Sequence, residues 1–225
     1  MDISNEAIRN LFLFAPVFIL SLSVHEWAHA WSAHKLGDST AKSLGRLTLD
    51  PLAHISWIGT VIFPALAILT GAPFFGWAKP VPVDTRFFKK PRIGMAIVAA
   101  AGPISNVILS ILLAITFGFI IRYVSSQPES ETLIAQGTML RSGLEMMRNA
   151  VQVNIFLALF NLMPFPPLDG SKILQGFVSP SLAHKIDEAA PNMQFLLLIL
   201  MISGAFRVLA IPGFWFYGLL ARLFM

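Results

Sequence analysis

Charge is missing from six long runs of this 225-residue chain, and no other feature constrains the fold as strongly. The runs cover residues 10–24 (continuing past a short polar interruption to 33), 55–78, 93–121, 149–168, 189–206 and 208–221. A helix needs about 20 apolar residues to cross the hydrocarbon core of a bilayer. The third run is ample and the fourth adequate. The last two are short but extend with their flanks. Only 12% of the residues are charged and 56% are hydrophobic, against about 25% charged in a soluble domain. The expected class is an all-α membrane protein: a polytopic helical bundle of about five transmembrane helices, forming one integral-membrane domain over 1–225. The basic residues are scattered over connecting segments and form no stripe, so the net charge of +4 points to membrane topology and not to nucleic acid. Cysteine is absent, which excludes disulfides and thiolate metal sites.

The interruption in the first run carries the chemistry. His25-Glu26-Trp27-Ala28-His29 is an HExxH motif. On a helix, residues i and i+4 project from one face, so His25 and His29 can share a metal ion. Glu26 is then placed to take a proton from the attacking water. The first run does not resemble a cleaved leader: Asp2 and Glu6 precede it, and removing it would remove this motif.

The second run is unusual. It contains Pro64, Gly71, Pro73 and Gly76 and continues into Trp77-Ala78-Lys79-Pro80-Val81-Pro82-Val83. If it crossed the membrane, two basic loops would lie on opposite sides: one with Lys35, Lys42 and Arg46, the other with Lys79, Arg86, Lys89, Lys90 and Arg92. Positive charge collects on the cytoplasmic side. A re-entrant or extended segment near 55–83 removes the conflict, because non-helical backbone is tolerated at membrane depth where protein or a wet cavity surrounds it. In that arrangement the HExxH helix runs inward and the acidic loop with Glu129 and Glu131 lies outside. The segment with Lys172 and Lys185 is cytoplasmic. The 55–83 segment is also placed to pair with an unwound substrate as an added strand.

A catalytic zinc commonly has three protein ligands and an open position. Asn161-Leu162-Met163-Pro164-Phe165-Pro166-Pro167-Leu168-Asp169-Gly170 supplies a candidate third. Its three prolines force an irregular path where a span ends. Asp169 then reaches a depth comparable to the histidines, where an unpaired carboxylate is costly. It also suits a helix start at 170. Asp50 and Asp84 read as turn or cap residues. His34 points away from the His25/His29 face, and His184 reads as solvated.

Taken together, these motifs resemble the site-2 protease family of intramembrane zinc metalloproteases, in its short bacterial form without PDZ or CBS domains. The resemblance rests on HExxH at 25–29, Ala101-Gly102-Pro103-Ile104-Ser105-Asn106, the run from Asn161 to Gly170, and the stretches 45–54 and 76–83. It implies Zn2+ on His25, His29 and Asp169, with Glu26 as general base. It implies hydrolysis of peptide bonds within or next to transmembrane segments of membrane protein substrates. The implied location is the lipid bilayer of a bacterial inner membrane, with the site toward the cytoplasm. It also suggests that Asn106 ties down the 55–83 segment. Two further residues are candidates for substrate or oxyanion contact: Asn161, through its amide N–H, and His54, at the start of the re-entrant segment. Asn154 reads as helix–helix hydrogen bonding. A metal transporter and a catalytically inactive helix-binding relative are the alternatives.

Overall fold

The computed structural model describes residues 5–70, 76–135 and 138–225. Among these residues every regular element is helical. Gly71 and Pro73 of the second run, and Gln136 of the acidic loop, lie outside them.

Helix α1 (Asn5–Lys35) carries the HExxH motif and continues through Pro16. Its serines do not expose hydroxyls to an apolar surrounding: Ser21 and Ser23 donate to the carbonyls of Val17 and Ile19, one turn back. A short α2 (Thr40–Ser43) follows. A 3-10 turn then covers Pro51–Ala53, with Asp50 as its N-cap, as expected of a cap residue.

The second run enters as helix and returns as irregular chain. A π-helical turn (Trp57–Ile62) leads directly into α3 (Phe63–Thr70). By residues 76–77 the chain is back beside the start of that turn. Trp77 N–H donates to the Gly59 carbonyl at 3.0 Å, and Thr60 Oγ1 donates to the Trp77 carbonyl at 2.8 Å. Two glycines permit this approach. A Cβ on Gly59 would lie 2.4 Å from the Trp77 ring, and one on Gly76 would lie 2.6 Å from the Gly59 carbonyl. The segment is thus a helix-and-return hairpin, and residues 76–84 form a strap along the bundle.

Helix α4 (Pro91–Ser125) is the organising element and packs against α1, α6, α7 and α9. Gly102, Asn106, Ser110, Ala114 and Gly118 recur every fourth residue along it, and all are buried. Small side chains at this spacing let neighbouring helices approach closely in a membrane. After α5 (Ser130–Leu133), helix α6 (Met139–Asn161) begins about ten residues before the charge-free run does. Arg141, Glu145 and Arg148 lie within it, because charge ends an apolar stretch without ending a helix. Helix α7 (Asp169–Phe177) follows the proline-rich bend. Helix α8 (Pro180–Ile202) ends at Gly204, whose φ of 74° suits glycine, and α9 (Ala210–Phe224) completes the hairpin.

Three segments are long and apolar enough to cross a bilayer: Ile8–Lys35, Pro91–Ser125 and Ala205–Phe224. The protein is an integral membrane protein. Helices α6 and α8, at 23 residues each, have comparable length but carry charge in their N-terminal halves, at Arg141, Glu145 and Arg148 and at Lys185, Asp187 and Glu188. The structure therefore supports three of the expected five spans on apolar length alone.

Candidate metal centre

The HExxH turn places His25 and His29 side by side, with ring centroids 4.7 Å apart and planes nearly perpendicular. Both are buried, His25 about three turns and His29 about two turns from the end of α1. Asp169 arrives from across the bundle as the first residue of α7. Its carboxylate meets His25 Nε2 at 3.1 Å and His29 Nε2 at 3.4 Å. Among the described residues this is the one group of three such side chains whose donor atoms all lie within 4.8 Å of one another.

Two glycines make this meeting possible. A Cβ on Gly170 would fall 2.3 Å from the Leu162 carbonyl oxygen, so the first turn of α7 lies against the end of α6. A Cβ on Gly102 would fall 2.5 Å from His29 and 2.6 Å from His25. Helix α4 therefore lies flush against both imidazoles. At the other end of α7, Arg92 of α4 donates to the carbonyls of Gln175 and Val178, which fastens that helix's C-terminus.

The hydrogen bonds behind the histidines determine their tautomers. His29 Nδ1 lies 2.7 Å from the Val98 carbonyl oxygen, which only accepts, so Nδ1 carries the hydrogen. For His25 the tautomer is set through a chain of side chains. Asn154 Nδ2 donates to the Ala150 carbonyl and to Ser21 Oγ, which leaves Asn154 Oδ1 to accept from Asn106 Nδ2 at 2.7 Å. Asn106 Oδ1 is thereby turned toward His25 Nδ1, 2.6 Å away, and must accept from it. Both Nε2 atoms consequently present lone pairs to a carboxylate. Asp169 Oδ2 is buried and has no hydrogen-bond donor.

Acceptors converging without a donor call for a cation. Two ligands about 2.0–2.1 Å from a tetrahedral zinc lie about 3.4 Å apart, which matches the observed separations. Outer hydrogen bonds of this kind fix the orientation of metal-ligating imidazoles.

Glu26 is on the adjacent face of α1. Its Oε2 accepts the main-chain N–H of Val81, in the strap, at 3.0 Å. Its Oε1 makes no hydrogen bond among the described residues, which leaves it free for a proton.

The other candidates are placed differently. Among the described residues Asn106 makes no hydrogen bond to the re-entrant segment; it bonds His25, because α4 turns that face toward α1. Asn154 makes the expected interhelical bonds, but these continue through Asn106 to the Nδ1 of His25, a connection that no local pattern reveals. Asn161 donates its amide to Leu157, one turn back on its own helix. His54 is buried with its Nε2 on the Thr48 carbonyl, and its main-chain oxygen accepts from Lys79. It anchors the strap and lies outside the His25-His29-Asp169 cluster. Sequence reasoning missed Gly102, Val98 and Val81. Gly102 stands in one of the quoted motifs, but the other two act through main-chain atoms and leave no side-chain signature.

A His-His-Asp cluster with both histidines buried, beside a glutamate and set among membrane-length helices, has the make-up of a membrane-embedded metal-dependent hydrolase. Comparison with known proteins gives the family. Residues 13–203 match the model of peptidase family M50, and the chain belongs to that family, the site-2 proteases. It is 40% identical over 186 residues to the Bacillus subtilis protein named "Putative zinc metalloprotease YwhC", covering 82% of this chain and 78% of that one. It is 28% identical to proteins named "Putative zinc metalloprotease Rip2" from Mycolicibacterium smegmatis and from Mycobacterium tuberculosis strain H37Rv, covering 84% and 92% of this chain and 66% and 71% of theirs. No solved structure matches. The protein is thus a member of a zinc metalloprotease family, and its metal is zinc.

Proposed function

We propose that this chain is an intramembrane-cleaving zinc metalloendopeptidase, a single catalytic domain that hydrolyses peptide bonds within or next to transmembrane segments of membrane proteins. The observation that carries the reading is the convergence of His25 Nε2, His29 Nε2 and the donor-less Asp169 carboxylate beside Glu26, on helices of membrane-spanning length.

His25, His29 and Asp169 hold the zinc in this reading. When bound, zinc supplies Lewis acidity, which acidifies a water and polarises the scissile carbonyl. Val98 and Asn106 keep the two imidazoles in the ligating tautomer. Glu26 accepts the proton of the attacking water at Oε1 and returns it to the leaving amine nitrogen. The surroundings exclude bulk water: His25, Glu26 and His29 are all buried. A substrate helix hides its peptide bonds in its own hydrogen-bond ladder, so it has to unwind locally before cleavage. An apolar cleft of about 560 Å3 between α1 and the hairpin, lined by residues including Phe12, Phe18, Val61 and Pro64, suits apolar side chains of such a segment.

The strap offers little to an added strand. The main-chain donors at 77, 79 and 81 are spent within the protein, and 80 and 82 are prolines. Strand addition along this segment would therefore draw on its remaining main-chain groups, chiefly carbonyls, with the unwound backbone presented to the metal.

The same reading places α6 and α8 as the fourth and fifth spans and the site near the cytoplasmic face of a bacterial inner membrane. The basic loops at 35–46 and 79–92 support that orientation. Because the chain lacks cysteine, single cysteines at 42, 89 and 130 can be labelled without background. Positions 42 and 89 label together from the cytoplasmic side and 130 from the other; labelling of 42 and 89 from opposite sides contradicts the topology. The activity is tested by incubating purified protein in liposomes with a transmembrane reporter and mapping fragments by mass spectrometry. Cuts inside or adjacent to the reporter's span, abolished by a chelator and restored by Zn2+, are expected. Cuts confined to its soluble portion would overturn the reading.

A further inference from the structure

The mechanism assigns Glu26 a proton but leaves open what holds its carboxylate still. The strap supplies the answer. Residues 77, 79 and 81 direct their N–H groups to one side, toward Gly59 O, His54 O and Glu26 Oε2 at 3.0, 2.8 and 3.0 Å. The residues between and after them, Pro80 and Pro82, have fixed φ and no N–H. The strap is pinned on both sides of Val81. Arg46, itself buried, donates to the Lys79 carbonyl at 2.6 Å, and Asp84 N–H donates to the buried Asp38 carboxylate at 2.7 Å. Val81 N–H is therefore a fixed donor on a backbone with little freedom, aimed at one oxygen of the base.

We propose that Val81 is a positioning residue for the reaction: its main-chain N–H clamps Glu26 Oε2, so that Oε1 faces the water, and the pinned strap is the device that keeps the clamp in place. This deepens the proposed function and rests on Glu26 being its base. A hydrogen bond to an ionised carboxylate is stronger than a neutral one. The clamp removes rotational freedom about the end of a long side chain before substrate arrives. Preorganisation of this sort is realised in the turnover step, so its loss appears in kcat with little change in KM.

The test compares Val81→Pro, which deletes the N–H, with Val81→Ala, which keeps it, and uses Glu26→Gln as reference. Zinc content, kcat and KM are measured on the full-length protein with a transmembrane reporter. Val81→Pro is expected to keep its zinc and its KM within about twofold while kcat falls about 10- to 100-fold. Val81→Ala is expected to recover most of that loss. The proposal is overturned if Val81→Pro retains wild-type kcat, or if Val81→Ala falls as far as Val81→Pro, which would make the side chain the cause. Should Val81→Pro lose its zinc, replacing residue 81 by the corresponding α-hydroxy acid deletes the N–H without a ring, and the same two outcomes decide. The reference variant separates failure of the base from failure of the clamp. An active Glu26→Gln sinks the general-base reading itself; an inactive Glu26→Gln with a fully active Val81→Pro sinks only the clamp.

Discussion

The helices that bring His25, His29 and Asp169 together and the C-terminal hairpin are built by opposite means. Where α1, α4, α6 and α7 meet, polar side chains are buried and used: Ser21, His25, Asn106 and Asn154 form one connected set of hydrogen bonds. In the hairpin, most of the large side chains of α9 face outward, with Ile211, Phe214 and Trp215 exposed among them. Its packing is apolar, through Leu220 against Ala114, Val151 and Ile155. Three glycines illustrate the contrast. Gly102 and Gly170 leave no room for a methyl group, whereas a Cβ on Gly218 would meet nothing within 4 Å. A buried polar site demands particular atoms at particular places, and a lipid-facing hairpin demands mainly apolar length.

Substitutions across the two regions are expected to separate widely. Asp169→Ala, which removes the carboxylate between the two Nε2 atoms, is expected to abolish zinc retention and turnover, read by metal analysis and reporter cleavage. Full zinc in this variant would remove Asp169 from the site. Gly102→Ala comes next. Its methyl group has to displace both imidazoles, and we expect turnover to fall at least about 100-fold, since ångström-scale misplacement of catalytic groups costs that much. Asn106→Ala leaves His25 Nδ1–H without its acceptor and is expected to weaken zinc affinity about 10- to 100-fold, measured by competition with a chelator. Asn154→Ala acts one bond further back and should weaken it by less than Asn106→Ala. At the bottom of the series, Gly218→Ala in α9 is expected to leave turnover within about twofold and to raise helix stability slightly, because alanine is favoured over glycine by about 1 kcal/mol in a helix. Equal damage from Gly218→Ala and Gly102→Ala would erase the distinction between the two regions.

The sequence made visible what depends on spacing along one chain. HExxH needs only helical periodicity, and Asp169 was exposed by the prolines that end α6 before it. The return of 55–83 followed from loop charge, and the structure supplies its reason in two glycines pressed together at 59 and 76. What the sequence concealed depends on how helices are rotated against one another. Asn106 was legible as a polar residue in a span, yet its partner is set by the face α4 turns toward α1. Main-chain groups carry no residue-type signal at all, and for that reason the Val98 carbonyl and the Val81 N–H were invisible. Helix α6 began earlier than the apolar pattern suggested because Arg141 and Glu145 pair with each other on the helix surface.

The most direct measurement of the central claim takes wild type and Glu26→Gln through the same preparation and determines zinc content and cleavage of a membrane-embedded reporter on each. The account predicts about one zinc per chain in both proteins, with fragments released by wild type alone. Fragment release by Glu26→Gln, or undiminished release by wild type stripped of zinc, would contradict it.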